Sequence, residues 1–326
     1  MTENTVVVVG GGAWGTALAC VAARAGRQAI LLCRDSAVAE ALNTRRCNPR
    51  YLPDIILPDR VEAATDQAVL QGAPTVILAI PAQSLRGALP ALARQLAPGA
   101  TLINTAKGIE LGSGLPLSRV IADICPDHPQ AILSGPSFAS DVARGKPTAV
   151  TLAAGDEAAA LALCRALSSD SFRAYASDDM TGVETGGALK NVYAIAAGVV
   201  IGLEFGESAK AALITRAFVE LRRIGAAMGG RAQTYLGLSG FGDLMLSCSS
   251  PQSRNFGYGV ALGRGEDLAG RPLAEGAATV QIAGRIADDH GVSAPILKAT
   301  RQLIAGEIAP KDAVEGLLSR PIKEEF

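Results

Sequence analysis

Histidine is scarce in this chain: 326 residues carry two, His128 in CPDHPQ and His290 in DDHGV, each in a polar loop segment. That argues against a mechanism built on an imidazole acid and base. Surplus charge of either sign is also missing. Thirty Lys and Arg against 31 Asp and Glu leave a formal net charge of −1, which speaks against a nucleic-acid partner. The longest apolar runs are interrupted by Arg, Gly or Pro, and the opening MTENTVVVVGGG has an acidic residue and no basic segment. Neither a signal peptide nor a membrane span is therefore expected. The six cysteines, Cys20, Cys33, Cys47, Cys125, Cys164 and Cys248, show no CxxC spacing and mostly lie in apolar surroundings. They fit free thiols in a reducing compartment better than bridges or a metal site, so no disulfide, no metal and a cytoplasmic location are expected. There is no internal repeat and no low-complexity tail.

What is present has two textures. The chain is 49% hydrophobic and 19% charged, the balance of an ordinary globular protein, and is long enough for two domains. Up to about residue 180, short β-branched runs alternate with Ala-rich helical stretches: TVVVV (5–9), AILLC (29–33), TVILAI (75–80), ATLIN (100–104), AILS (131–134) and TAVTLA (148–153). That alternation predicts a largely parallel sheet covered on both faces. Beyond it helical stripes take over. Ile214, Phe218, Leu221 and Ile224 line one side of a helix while Arg216, Glu220 and Arg223 line the other, and Val314, Leu317 and Leu318 form a shorter stripe after Pro310. The expected division is an α/β domain over 1–182 and an all-helical domain over 183–326.

Gly10-Gly11-Gly12-Ala13-Trp14-Gly15 follows the strand TVVVV directly and opens the helical run TALACVAARAG. Glycines at 10, 12 and 15 suit a tight turn, close approach of a pyrophosphate, and packing of helix against strand. The helix amino terminus then supplies amide donors to the phosphates. A GxGxxG alone is weak, but strand before and helix after make this a Rossmann-like, doubly wound dinucleotide-binding domain. The second strand ends in Cys33-Arg34-Asp35. Arg34 can pair with the 2′-phosphate of NADP, and Asp35-Ser36 suits the cap of the next helix. NADP(H) is favoured, with NAD(H) possible should Asp35 turn inward to the ribose.

A hydride-transferring enzyme acting on a ketone or alcohol needs a group to give and take the hydroxyl proton. With histidine set aside, lysine remains. Lys190 lies in GALKNVYAIAAGVVIG, whose other residues are small, apolar or uncharged. Burial there would favour its neutral form; the alternative is a lysine snorkelling to water. Lys107, in NTAKGIE after the strand ATLIN, stands at a strand's carboxyl end, where ligands of doubly wound sheets gather. Ser253-Arg254-Asn255 places a hydroxyl, a guanidinium fork and an amide in three consecutive residues, a set suited to phosphate oxygens and, equally, a polar turn.

GGGAWGTALA (10–19), TAKGIE (105–110), SGPSFA (134–139), GALKNVYAIAAG (187–198), GLSGFGDLMLSCSSPQSRNFGYGVALGRG (237–265) and AEG (274–276) together resemble bacterial NAD(P)-dependent glycerol-3-phosphate dehydrogenase. The likeness runs over nearly the whole chain. It implies interconversion of dihydroxyacetone phosphate and sn-glycerol 3-phosphate for phospholipid synthesis, and a homodimer. It implies Lys190 as general acid and base, Lys107 as a second catalytic-site charge, and Asp243 as the carboxylate that orients the lysine, against a reading of Asp243 as a helix cap. Substrate contacts implied are Lys107, Gly135, Ser137, Lys190, Asn191, Asp243, Ser247, Ser253, Arg254 and Asn255, with Ser137 alternatively capping a helix from Phe138. Coenzyme contacts implied are Gly10, Gly12, Ala13, Trp14, Gly15, Arg34, Lys107, Ala139, Arg254, Leu273 and Glu275. Ala13 departs from the family's frequent Ser. Two rivals stand beside this reading: a lysine-dependent reductase of the ketopantoate type, and a non-catalytic NADP(H)-binding regulator.

Overall fold

The structure, a computed structural model, describes residues 4–271, 274–319 and 321. The chain separates into two compact units, Met1–Glu184 and Thr185–Phe326, and the change falls inside a single long helix.

The first unit runs β1 (Thr5–Val9), α1 (Ala13–Arg24), β2 (Gln28–Leu32), α2 (Ser36–Thr44), β3 (Val61–Ala64), β4 (Thr75–Leu78), α3 (Leu85–Ala93), β5 (Thr101–Asn104), α4 (Leu117–Ile124), β6 (Gln130–Ser134), α5 (Ala139–Ala143), β7 (Thr148–Ala154), α6 (Glu157–Leu167) and β8 (Phe172–Ser177). Its eight strands lie in the order β3-β2-β1-β4-β5-β6-β7-β8, and only β6 with β7 is antiparallel. The six β-branched runs are the six inner strands. The two strands that sequence pattern missed, VEAA and FRAYAS, are the sheet's edges, where a half-exposed strand needs no continuous apolar run. Helix α1 is buried from Gly15 to Ala23 because its Ala-rich face lets it lie close on the sheet. Asp35 caps α2, accepting from Ala37 N at 2.9 Å and Val38 N at 3.4 Å.

From β1 the chain steps outward through β2 and β3, then returns to the other side of β1 for β4, β5 and β6. The gap between β1 and β4 is therefore the point where winding reverses. In such sheets ligands gather beyond the carboxyl ends of the strands at that point. Since β1, β4, β5 and β6 run parallel, the segments that follow them share one edge.

The long helix α7 (Met180–Gly202) leads into α8 (Gly206–Ala227), α9 (Asp243–Ser249), α10 (Arg254–Gly263), α11 (Glu275–Asp289), α12 (Pro295–Ile304) and α13 (Pro310–Leu318), so the second unit is helical. By length and composition α7 is the one described helix apolar enough to cross a membrane, but 94% of its most apolar window is buried, as befits a core helix. Its Leu189, Val192 and Tyr193 pack with Ile214, Leu221 and Ile224 of α8. One residue of the expected polar stripe on α8 is placed otherwise. Glu220 is buried, and its carboxylate accepts from Ile296 N at 2.8 Å and Leu297 N at 3.1 Å. It supplies the negative charge for the amino terminus of α12, which has no cap of its own.

Helices α7 and α10 meet through glycines. Gly198 and Gly202 on one face Gly259 and Gly263 on the other, and a Cβ on any of the four would overlap the partner helix's backbone. Small residues four apart allow this near contact of main chains.

Candidate active site

In the first unit the glycine turn has three distinct demands. Gly10 sits at φ +126°, and a Cβ there would stand 2.5 Å from Ala79 O beyond β4. Gly15 packs its Cα against the Gly10 carbonyl, which a side chain would overlap. Gly12 has nothing within 4 Å of the Cβ position, and as amino-terminal cap of α1 it offers no side-chain bond to the first turn's amides. Open space before uncapped helix donors fits a pyrophosphate. Ala13 and Trp14 are the first two helical residues, half-buried beside it. Arg34 is exposed just past β2, and the cap bonds of Asp35 turn its carboxylate to α2.

Lys107, half-buried three residues beyond β5, donates to Gly135 O at 3.1 Å just beyond β6. It is thus held across the carboxyl edge instead of dangling as a loop lysine. Gly135 sits at φ +149°, and a Cβ there would come within 2.9 Å of Val150 Cα. Ser137 does not cap the next helix: its hydroxyl donates to Gly135 O at 3.0 Å, and α5 begins at Ala139 with no side-chain cap.

In the second unit Lys190 is 6% exposed, so the snorkelling alternative falls. Its Nζ donates to the Asp243 carboxylate and, at 2.7 Å, to Ser247 Oγ. Asp243 and Ser247 are four apart on α9 and so share a face. Asp243 opens α9 without capping it; a π-helical turn over Leu238–Gly242 precedes it and sets where that carboxylate lies. Two glycines make that turn possible. A Cβ on Gly240 would strike the Tyr235 backbone, and one on Gly186 of α7 would stand 2.8 Å from Ser239 O.

The anion candidates divide their roles. Ser253 caps α10, accepting from Phe256 N at 3.3 Å, and buried Asn255 accepts from Gly276 N at 2.9 Å. Arg254 is the exposed member, on the first residue of α10. Gly276, second residue of α11, has its Cα so near α7 that a Cβ would stand 2.6 Å from the carbonyl carbon of Asn191. The segments around Lys190-Asn191, Arg254-Asn255 and Glu275-Gly276 are therefore neighbours within this unit. Glu275 is half-buried at the start of α11; Leu273 lies outside the described residues.

The family model for the NAD-dependent glycerol-3-phosphate dehydrogenase N-terminus matches residues 5–160, and that for the C-terminus matches residues 179–315. The chain belongs to the NAD-dependent glycerol-3-phosphate dehydrogenase family. A glycerol-3-phosphate dehydrogenase (NAD(P)+) of Brucella canis is 55% identical over 324 residues, 99% of each chain. The crystal structure of a glycerol-3-phosphate dehydrogenase from Coxiella burnetii superposes with TM-score 0.91 at 34% identity, over 98% of this chain and 99% of that one. A ketopantoate reductase from Ralstonia eutropha JMP134 reaches TM-score 0.57 at 16% identity, over 95% and 99% of the two chains, a likeness of fold alone. Membership in the dehydrogenase family sets aside that rival.

Sequence reading of this dehydrogenase-family chain passed over the glycine pairs of α7 and α10, although GxxxG spacing marks them, and the π turn, which leaves no periodic signal.

Proposed function

We infer that the protein is an NAD(P)-dependent sn-glycerol-3-phosphate dehydrogenase, interconverting dihydroxyacetone phosphate and sn-glycerol 3-phosphate. The observation that carries the mechanism is a lysine ammonium inside an apolar core helix, held by one carboxylate and one hydroxyl. A buried cation with fixed direction can stabilise the negative charge that grows on a carbonyl oxygen and then hand over a proton. Lys190 is proposed as that acid, and as the base in the reverse direction. Asp243 pairs with its ammonium and aims Nζ, and Ser247 Oγ accepts a further bond from it. Arg254, at the amino terminus of α10, is proposed to take the substrate phosphate through its fork and the helix dipole, with the amide of Asn255 as a neutral donor. Lys107, Gly135 and Ser137 are proposed as substrate contacts at the sheet's carboxyl edge.

The coenzyme, held by the Gly10–Gly15 turn, Trp14 and Arg34, supplies or accepts the hydride. The exposed guanidinium of Arg34, with Asp35 engaged in capping α2, supports NADP(H) over NAD(H). Phospholipid synthesis is the proposed use of the product. A cytoplasmic location is proposed on six free cysteines, five of them buried. A homodimer is proposed as the assembly, and the exposed Leu236, Phe241 and Met245 of the second unit offer apolar surface for it.

Initial rates of NADPH and, separately, NADH oxidation with dihydroxyacetone phosphate, against ketopantoate as control, test the reading. Turnover with the phosphate ester alone is expected, faster with NADPH. No turnover despite tight NADPH binding would refute it and leave the non-catalytic regulator.

A further inference from the structure

We infer that Asn48 is a positioning residue for the nucleotide turn, acting through Gly11 and Thr16; this rests on the dinucleotide reading above. Asn48 lies between α2 and β3, in a loop closed by its own bonds. Leu57 N donates to Arg46 O at 2.8 Å, and the Arg46 guanidinium donates to Val61 O at 2.8 Å and Pro58 O at 2.6 Å. Leu52 N donates to Asn48 O at 2.9 Å, so the tip is a tight turn as well.

From this frame the side chain of Asn48, fully buried, reaches the glycine turn. Its Nδ2 donates to Gly11 O at 3.1 Å and to Thr16 Oγ1 at 2.8 Å. The Gly11 carbonyl and the Gly12 amide belong to one planar trans peptide, so they point in opposite directions. Holding Gly11 O toward the loop therefore turns Gly12 N–H away from it, as a donor for phosphate. A flanking glycine with no side chain cannot set that plane by itself. Thr16 N in turn donates to Gly12 O at 3.0 Å, so the second bond of Nδ2 ties the same turn to the first coil of α1.

Asn48 Oδ1 has no hydrogen-bond partner among the described protein groups, so the polar contacts of this side chain are the two made by Nδ2. An amide at this position is explained by what its two donor bonds orient.

The test is Asn48→Leu and, separately, Thr16→Val, with NADPH affinity read by nucleotide fluorescence, melting temperature by calorimetry, and kcat against KM by NADPH oxidation. Asn48→Leu is expected to raise both Kd and KM for NADPH about tenfold, to keep kcat at saturating NADPH within about twofold, and to melt only a few degrees lower than the parent protein, because Gly11 O and Thr16 Oγ1 each lose a buried hydrogen bond. Thr16→Val, which leaves the bond to Gly11, is expected to raise Kd by about two- to threefold. Affinity within twofold of the parent in Asn48→Leu, or affinity lost only in step with melting temperature, would overturn the inference. Should Asn48→Leu not fold, Thr16→Val decides: an unchanged Kd overturns it. A parent protein that fails to bind NADPH would refute the dinucleotide reading instead.

Discussion

Placing a single methyl group on Gly259 should part α7 from α10 and weaken both stability and substrate binding. A Cβ there would overlap the Ile195 carbonyl oxygen and stand 2.8 Å from its carbon and 3.0 Å from Gly198 Cα. Carbon atoms rest at about 3.5–4.0 Å. Every one of these obstacles is backbone, so no rotamer change relieves them, and the helices must separate by roughly 1 Å. Overpacking of this kind costs about 1–3 kcal/mol, or roughly 3–9 °C in melting temperature at about 3 °C per kcal/mol. The displacement reaches function because α10 begins with Arg254 and α7 carries Lys190 two turns before Gly198. KM for dihydroxyacetone phosphate should rise severalfold, and by more than the NADPH Kd, because the glycine turn of the first unit is not displaced. Gly257 provides the control: it lies in the same helix with nothing within 4 Å of its Cβ position. There alanine should be neutral or stabilise by up to about 1 kcal/mol through helix propensity. Calorimetric melts of the two variants decide the matter. If Gly259→Ala melts within a degree of the parent, or no lower than Gly257→Ala, the close-packing argument is wrong.

Removing Lys190 should lower kcat by about 10²–10⁴-fold, the usual share of a general acid, with NADPH affinity retained. Since Asp243 would lose its buried ammonium partner, at a cost of about 3–5 kcal/mol, Lys190→Met with Asp243→Asn is the variant that separates lost chemistry from lost folding; near-normal turnover in it would remove the proton-transfer role. Arg254→Ala should raise KM for dihydroxyacetone phosphate about 10–100-fold, the worth of hydrogen bonds to a charged group, yet leave the slow reduction of unphosphorylated dihydroxyacetone unchanged, and an equal loss on both ketones would exclude phosphate recognition. Glu184 is buried and accepts from Ser118 N at 2.8 Å and from the Ser118 hydroxyl, and burial pushes its carboxyl above the ordinary 4.5. Its folded state therefore holds a proton that the unfolded chain gives up, so this group's contribution to stability falls as pH rises through and beyond about 4.5. Glu184→Gln should match the parent in urea unfolding at acid pH and exceed it near neutrality; a constant difference across pH would contradict this.

How much of this was legible before folding follows from what each feature needs. Inner strands and α1 announce themselves because burial on two faces demands unbroken β-branched or small apolar runs, whereas the edge strands VEAA and FRAYAS have one side free of that demand. The geometry of the Gly10–Gly15 turn was readable since glycine spacing reports backbone conformation directly. Lys190 stood out by contrast with its apolar helix, but nothing local to it could tell that Asp243 and Ser247 close over its ammonium, because that depends on a helix 53 residues away and on the π turn ahead of it.

Glu220 was misplaced for the same reason. Helical periodicity assigns a face by hydropathy, and a carboxylate is worth burying only when another helix brings its amino terminus, as α12 does. Ser253 and Asn255 extend the point. Each reads as a phosphate ligand in SRN, and each also holds a helix start, Ser253 for α10 and Asn255 for α11. Helix ends expose unpaired amides whether or not a substrate is present. The residues that tie those ends together are therefore the ones best placed to aim Arg254, so loss of Asn255 should loosen the anion site even where its own amide touches no phosphate. Asn255→Leu, which removes the acceptor for Gly276 N, is then expected to raise KM for dihydroxyacetone phosphate with kcat falling less, and a change confined to kcat would show that Asn255 acts on the chemistry instead.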